Sequence, residues 1–188
     1  MAHISLDGVI SPPGDSDFAN GAWMAPYRSP EGSAALAELQ GGKFDLLLGR
    51  RTYDFWANYW PKMKGGLFAD PINAATKYVA THHPESLEWG PLGELGADVA
   101  AGVRRIKSEE GPALVVWGST TLSAMLFQEG LVDEVVLAVY PLLLGPGKRF
   151  FSESADPREL AFVSTVTAPT GALITKYRYV GAVRTEPA

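Results

Sequence analysis

Apolar residues along this chain fall into short runs, and two spacings alternate. "KFDLLLG", "KYVAT", "ALVVWG" and "DEVVLAVYPLLLG" are nearly continuous and bounded by turn residues, as expected for strands buried on both faces. Between them the apolar positions spread to helical spacing; Leu122, Met125 and Leu126 in "STTLSAMLFQEGL" share one face of a helix. In chain order, "HISLDGVI" predicts a first strand and "SPPGDSDFANGAWMAPYRSP" a long loop rich in Pro, Gly and Asp. "PEGSAALAELQ" predicts a helix, with Pro30 near its start and Gly41–Gly42 ending it. The strand "KFDLLLG" leads into a short helix, "RTYDFWANYW", stopped by Pro61. After "KYVAT" comes a helix, "ADVAAGVRRIKSEEG", ending at Gly111, and after "ALVVWG" the helix "STTLSAMLFQEGL". The last stretch changes character: "AFVSTVTAPTGALITKYRYVG" reads as two β-rich strands around the turn "APTG". Alternation followed by a hairpin predicts an α/β domain whose mixed, mostly parallel sheet is covered by helices on both faces. No repeat or low-complexity linker interrupts the pattern, so a single domain over residues 1–188 is expected.

Composition narrows the function classes. Of 188 residues, 46% are hydrophobic and 20% charged, ordinary for a globular chain able to bury a sizeable core. The absence of cysteine excludes disulfides, thiolate metal sites and a cysteine nucleophile, and accords with a cytoplasmic location. A net charge of −5 without a basic stripe gives nucleic-acid binding no electrostatic support. No apolar run reaches membrane-spanning length, and "MAHISLDGVI" has no charged leader, so neither a membrane span nor a signal peptide is expected. The histidines are His3, His82 and His83; the adjacent pair cannot point to one site from a helix face, and no metal centre is expected.

The candidate chemistry lies where strands end. In "LLLGRRTYDFW" a buried strand stops at Gly49, and Arg50, Arg51 and Thr52 open a helix. Bare amides and the helix dipole favour an anion at such a junction. Glycine admits close approach, and guanidinium forks suit phosphate. The competing reading is that both arginines are solvated residues, pairing with Asp54 or with nothing. "LVVWGSTTLSAML" repeats the device with Gly118, Ser119, Thr120 and Thr121, where the competing reading is a simple helix cap. Two such junctions in one sheet suit a ligand with several phosphates lying beyond the strand ends. No G-x-G-x-x-G occurs, so this is not the usual dinucleotide-binding turn. Asp7, in "ISLDGVI", is either a substrate-binding or proton-handling acid, or part of an Asp-Gly turn. Trp23, Tyr53, Trp56 and Trp60 either line a flat pocket or pack in the core. Glu31 and Glu38 read as a solvated helix face.

Taken together, "SLDGVI", "LLLGRRTYDFWANYWP", "NAATKYVAT", "VVWGSTTLSAMLFQEGLVDEVVLAVYPLLLGPGKRFF" and the β-rich tail resemble the dihydrofolate-reductase-like superfamily. More narrowly, the chain resembles a small stand-alone form of the reductase domain of the riboflavin-biosynthesis deaminase-reductase. The segments occur in family order over nearly the whole chain. The resemblance implies a three-layer α/β/α fold, NADPH as cofactor, and reduction of a small heterocyclic substrate such as 5-amino-6-(5-phosphoribosylamino)uracil. It places Gly49, Arg50, Arg51 and Thr52 on the adenosine-phosphate and pyrophosphate side, and Thr81 at the adenosine edge. Gly118, Ser119, Thr120 and Thr121 then meet the pyrophosphate, with Leu122 packing nearby. Asp7 is the candidate catalytic and substrate-contacting acid; Trp23 and Trp56 are further substrate contacts, with the loop 11–30 covering that side. Departures are the lack of a zinc deaminase domain and the loose spacing of Glu31, the nearest counterpart of the acid of dihydrofolate reductases. Two alternatives stand beside the riboflavin-type reductase: dihydrofolate reduction, and a nucleotide-binding module without turnover. A homodimer is expected, as is common among relatives.

Overall fold

Leu46, Leu47 and Leu48 are each at most 1% exposed, and strand pairing explains why. In the computed structural model, which describes residues 1–10, 23–151 and 156–183, they lie in β2 (Phe44–Gly49). This strand runs parallel between β3 (Lys77–Ala80) and β5 (Ala113–Val116). A strand paired along both edges with helices packed against the sheet has no wet face, so its apolar run is continuous. The short β4 (Leu92–Gly93) extends the sheet beside β3, again parallel. The helices here are α2 (Arg50–Tyr59), α3 (Gly66–Ala74), α4 (Val99–Ser108) and α5 (Thr120–Gln128). Together they form a compact unit spanning Gly41–Leu131.

The second unit joins the chain ends, Met1–Gln40 and Val132–Ala188. Its sheet is mixed. β1 (Ala2–Ser5) runs parallel to β6 (Glu134–Tyr140), and β6 runs antiparallel to β8 (Leu173–Ala182). β8 in turn pairs antiparallel with β7 (Arg158–Thr167), closing the hairpin expected around "APTG". Gly171, at φ +85°, makes that turn possible, and Ala168 and Ala172 pair across it. α1 (Pro30–Gln40) begins at Ser29, whose hydroxyl accepts from the Gly32 amide at 3.0 Å. A Cβ on Gly32 would lie 3.3 Å from the Ala168 Cβ, so the glycine lets this helix settle against the hairpin.

The α/β class and the C-terminal hairpin hold, and most helices fall where expected, but the strands pair as a parallel sheet and a mixed sheet of four strands each where a single mixed sheet was expected. Two differences have a local cause. The first strand stops at Ser5 instead of running to Ile10, because Asp7-Gly8 forms a turn: Gly8 adopts φ +79° and its amide donates to Ser5 O at 2.9 Å. α3 was not apparent in the sequence, since Pro71 interrupts its pattern. Burial of Ala69 and Ile72 holds it, and the Asp70 carboxylate accepts from the Gly65 amide at its start. Residues 11–22 of the long loop lie outside the described residues. Among the described residues no helix is long and apolar enough to cross a membrane.

Lys77 is the unexpected member of the core, with its side chain fully buried. Its amine donates to Asn73 O at 2.6 Å, an open carbonyl near the end of α3, and to Gly90 O at 3.1 Å. It also sits 4.4 Å from the centre of the Trp89 ring. Burial lowers its pKa from 10.5 to about 8, against the opposing pull of the Asp45 carboxylate. The folded chain therefore releases this proton more readily than the unfolded chain, and the lysine's contribution to stability rises between about pH 8 and 10.5. Urea unfolding of wild type and Lys77→Met should show their difference shifting toward the wild type from about pH 7 to about pH 10. A difference independent of pH would refute this account of Lys77.

Candidate functional site

Both Gly-ended junctions lie in the unit Gly41–Leu131, at the carboxyl ends of neighbouring strands. Gly49 precedes α2 in extended conformation, and no side chain caps the helix. Ser119 precedes α5 in the left-handed region, at φ 48° and ψ 62°, and its hydroxyl does not cap that helix either. α4 is different: the Asp98 carboxylate accepts from the Ala101 amide at 3.0 Å, as a cap should. The Ser119 hydroxyl reaches across instead. It accepts from the Gly49 amide at 3.3 Å and lies 2.8 Å from the Thr52 hydroxyl. A Cβ on Gly49 would come within 3.2 Å of that oxygen, a tight contact that the glycine avoids. Ser123 supports the bend from below, its hydroxyl donating to Gly118 O at 3.0 Å. The Thr120 hydroxyl is buried with no hydrogen-bond partner among the described residues. Thr121 is exposed, and Leu122 is buried beneath. The junctions thus offer amides without side-chain caps, a shared hydroxyl and an orphaned one. That donor set fits an anion with several oxygens.

The arginines divide their work. Arg50 Nε donates to both oxygens of Asp54, at 2.8 and 3.0 Å. Its Nη1 donates to Ser86 Oγ at 2.6 Å, His83 O at 3.4 Å and Thr81 Oγ1 at 3.5 Å. Arg50 therefore pins the segment after β3 to the first turns of α2. Only Nη2 is without a partner among the described residues. Arg51 is exposed and has no ion-pair or hydrogen-bond partner among the described residues. Thr81 is folded into the same turn, accepting from the His83 amide at 3.1 Å.

The remaining candidates belong to both units. Asp7 lies in the unit of the chain ends and is engaged structurally. Its carboxylate accepts from Ser5 Oγ at 2.5 Å, the Leu144 amide at 3.1 Å and the Gly145 amide at 2.7 Å. The Ser5 hydroxyl first, and then these amides, hold its pKa down at about 2, so it is ionised at neutral pH and has no proton to give. Trp23 is buried with its edge on Tyr140, ring centres 5.2 Å apart. Glu31 is exposed in the first turn of α1. Tyr53 is buried, its hydroxyl bonded to both backbone groups of Trp89. Trp56 is only part-buried; it meets Trp60 edge-on at 5.6 Å and leans on Trp117 at 6.3 Å. Trp117 directly precedes Gly118 in the chain. The Arg50 network through Asp54, His83 and Ser86 escaped the sequence reading, apart from the possible Asp54 pair, because contacts over thirty residues leave no local pattern.

The strain at Ser119 can be tested. A left-handed non-glycine residue costs about 1–2 kcal/mol, and each lost hydroxyl contact about 1 kcal/mol. Ser119→Ala loses the contacts and keeps the strain, whereas Ser119→Gly loses the contacts and relieves it. Urea unfolding should rank wild type and Ser119→Gly close together, with Ser119→Ala less stable by about 1 kcal/mol or more. The reverse order would rule out backbone strain at this position.

Comparison with known proteins agrees with this architecture. Two Bacillus subtilis (strain 168) proteins, both uncharacterised, are similar in sequence. YyaP is 26% identical over 145 residues, covering 72% of this chain and 74% of its own. YwjB is 26% identical over 162 residues, covering 86% of each. Among solved structures, a protein of Shewanella sp. PV-4 ascribed to riboflavin biosynthesis superposes with TM-score 0.69 at 20% identity, covering 95% of this chain and 96% of that one. The diaminohydroxyphosphoribosylaminopyrimidine deaminase/5-amino-6-(5-phosphoribosylamino)uracil reductase of Thermotoga maritima gives 0.60 at 14% identity, covering 95% of this chain and 55% of the longer enzyme. Dihydrofolate reductase of Enterococcus faecalis, in complex with NADP(H), gives 0.58 at 17% identity, covering 95% of this chain and 93% of that one. The model of the RibD C-terminal domain matches residues 1–174, and the chain belongs to that family.

Proposed function

We propose that this chain is an NADPH-dependent reductase acting on a small heterocyclic substrate, of the type named for the Thermotoga reductase. The observation that carries the cofactor assignment is the pair of helix starts without side-chain caps, joined through the Ser119 hydroxyl. Arg51 and the Nη2 edge of Arg50 would take the adenosine-side phosphate, with Thr81 at the adenosine edge. Gly49, Thr52, Gly118, Ser119, Thr120 and Thr121 would hold the pyrophosphate, with Leu122 packed beneath. NADPH would supply the hydride; the protein needs no nucleophile of its own and contributes positioning and exclusion of water. Trp56, part-exposed beside Trp117, is the substrate contact the reading retains. Asp7 enters as an ionised group that shapes the turn at residues 5–9, not as a proton donor.

A second reading is favoured by that same carboxylate. The acid singled out in the sequence is engaged with Ser5, Leu144 and Gly145, which suits a nucleotide-binding module without turnover. NADPH binding without oxidation, with both 5-amino-6-(5-phosphoribosylamino)uracil and dihydrofolate offered, would select the module over the reductase. The proposal includes a homodimer: the edge strand β7 exposes Phe162, Val163 and Val166, an apolar edge of the kind proteins usually cover. Light scattering at micromolar concentration should give twice the chain mass, and a monomer mass would remove that part.

The cofactor reading predicts a phosphate-specific loss. Charge-assisted hydrogen bonds contribute about 1.5–3 kcal/mol each, so Arg51→Ala should weaken NADPH by about tenfold or more in calorimetric titration. NADH, lacking the 2′-phosphate, should lose much less. Equal losses for the two nucleotides would place Arg51 elsewhere.

A further inference from the structure

Asp54 stands beside Arg50, next to the proposed phosphate site. It occupies the first turns of α2, four residues after Arg50, and takes both carboxylate oxygens to the Arg50 Nε. Its side chain is half exposed, at 50%, so this is a surface pair that adds little to stability. Its effect on a ligand is another matter. The carboxylate neutralises the arginine nearest to β3 and occupies one of that arginine's donors. Nη1 is already committed to Thr81, His83 and Ser86. An anion arriving at Arg50 therefore meets one open group, Nη2, with the fixed negative charge of Asp54 on the neighbouring Nε of the same guanidinium. Arg51 carries the uncompensated positive charge.

We propose that Asp54 is a specificity-determining residue that restrains the chain's preference for the phosphorylated dinucleotide, leaving NADH competitive. This rests on the cofactor reading above and adds to it the residue that sets selectivity. The physical basis is Coulombic. A 2′-phosphate carries more charge than a ribose diol, so a nearby carboxylate penalises NADPH more than NADH. Removing the carboxylate charge lifts that penalty and releases the Nε donor. Because the pair is solvent-exposed, the effect is screened by salt over about 10 Å at 0.1 M ionic strength.

The test compares wild type, Asp54→Asn and Asp54→Glu by calorimetric titration with NADPH and with NADH, at low salt and at about 0.5 M salt. Asp54→Asn should raise the ratio of NADPH to NADH affinity by about threefold to tenfold at low salt, and by less at high salt. Asp54→Glu keeps the charge and should keep the wild-type ratio. A role confined to helix stability would move both nucleotides together and would not respond to salt in this way. If wild type binds the nucleotides but Asp54→Asn leaves the ratio unchanged or lowers it, the inference about Asp54 falls and the cofactor reading stands. If wild type binds neither nucleotide, both fall together.

Discussion

One hydroxyl ties together the two strand ends on which the functional reading depends. Ser119 Oγ accepts from the amide of Gly49 and pairs with the hydroxyl of Thr52. To reach them the backbone turns left-handed at two successive residues, Gly118 and Ser119. The first is glycine and bears this without cost; the second is not. Backbone strain in a non-glycine residue persists only where its surroundings over-determine it. Here the surroundings are β2 and β5, parallel neighbours that bring Gly49 and Ser119 together at the same end of the sheet. The register of these two parallel strands sets the geometry of a polar site.

Charge at that site is distributed unevenly. The adjacent arginines look equivalent in sequence, yet they differ in freedom. Arg50 spends Nε on Asp54 and Nη1 on the turn beyond β3, and so acts first as a brace. Arg51, one residue on around the helix, points its charge to solvent. A helix rotates side chains by about 100° per residue, so neighbours in sequence do not share surroundings. The same rotation brings Asp54, four residues on, back beside Arg50.

Several residues with catalytic potential are held in structural contacts. Asp7 looked like an acid stranded in an apolar strand. The strand ends before it, and its carboxylate gathers amides from Leu144 and Gly145. Trp23 and Tyr53 pack inward, one on Tyr140 and the other on Trp89. Lys77 shows the opposite case: a residue normally placed on the surface is buried, because two backbone carbonyls and an aromatic face replace water around its amine.

By itself the sequence determined what depends on neighbours a few residues apart. Continuous apolar runs marked the buried strands, glycines marked where they stop, and "APTG" marked the hairpin turn. The family motifs "LLLGRRTYDFW" and "VVWGSTTLSAML" named both junctions and the residues within them. Tertiary structure decided how those residues are used. It set whether a hydroxyl caps its own helix or crosses to another strand, which arginine is braced, and which groups the Asp7 carboxylate engages. It also decided that Lys77 is covered and that a helix survives Pro71. These outcomes rest on contacts between positions tens of residues apart, which strand register and packing bring together and which no local pattern encodes.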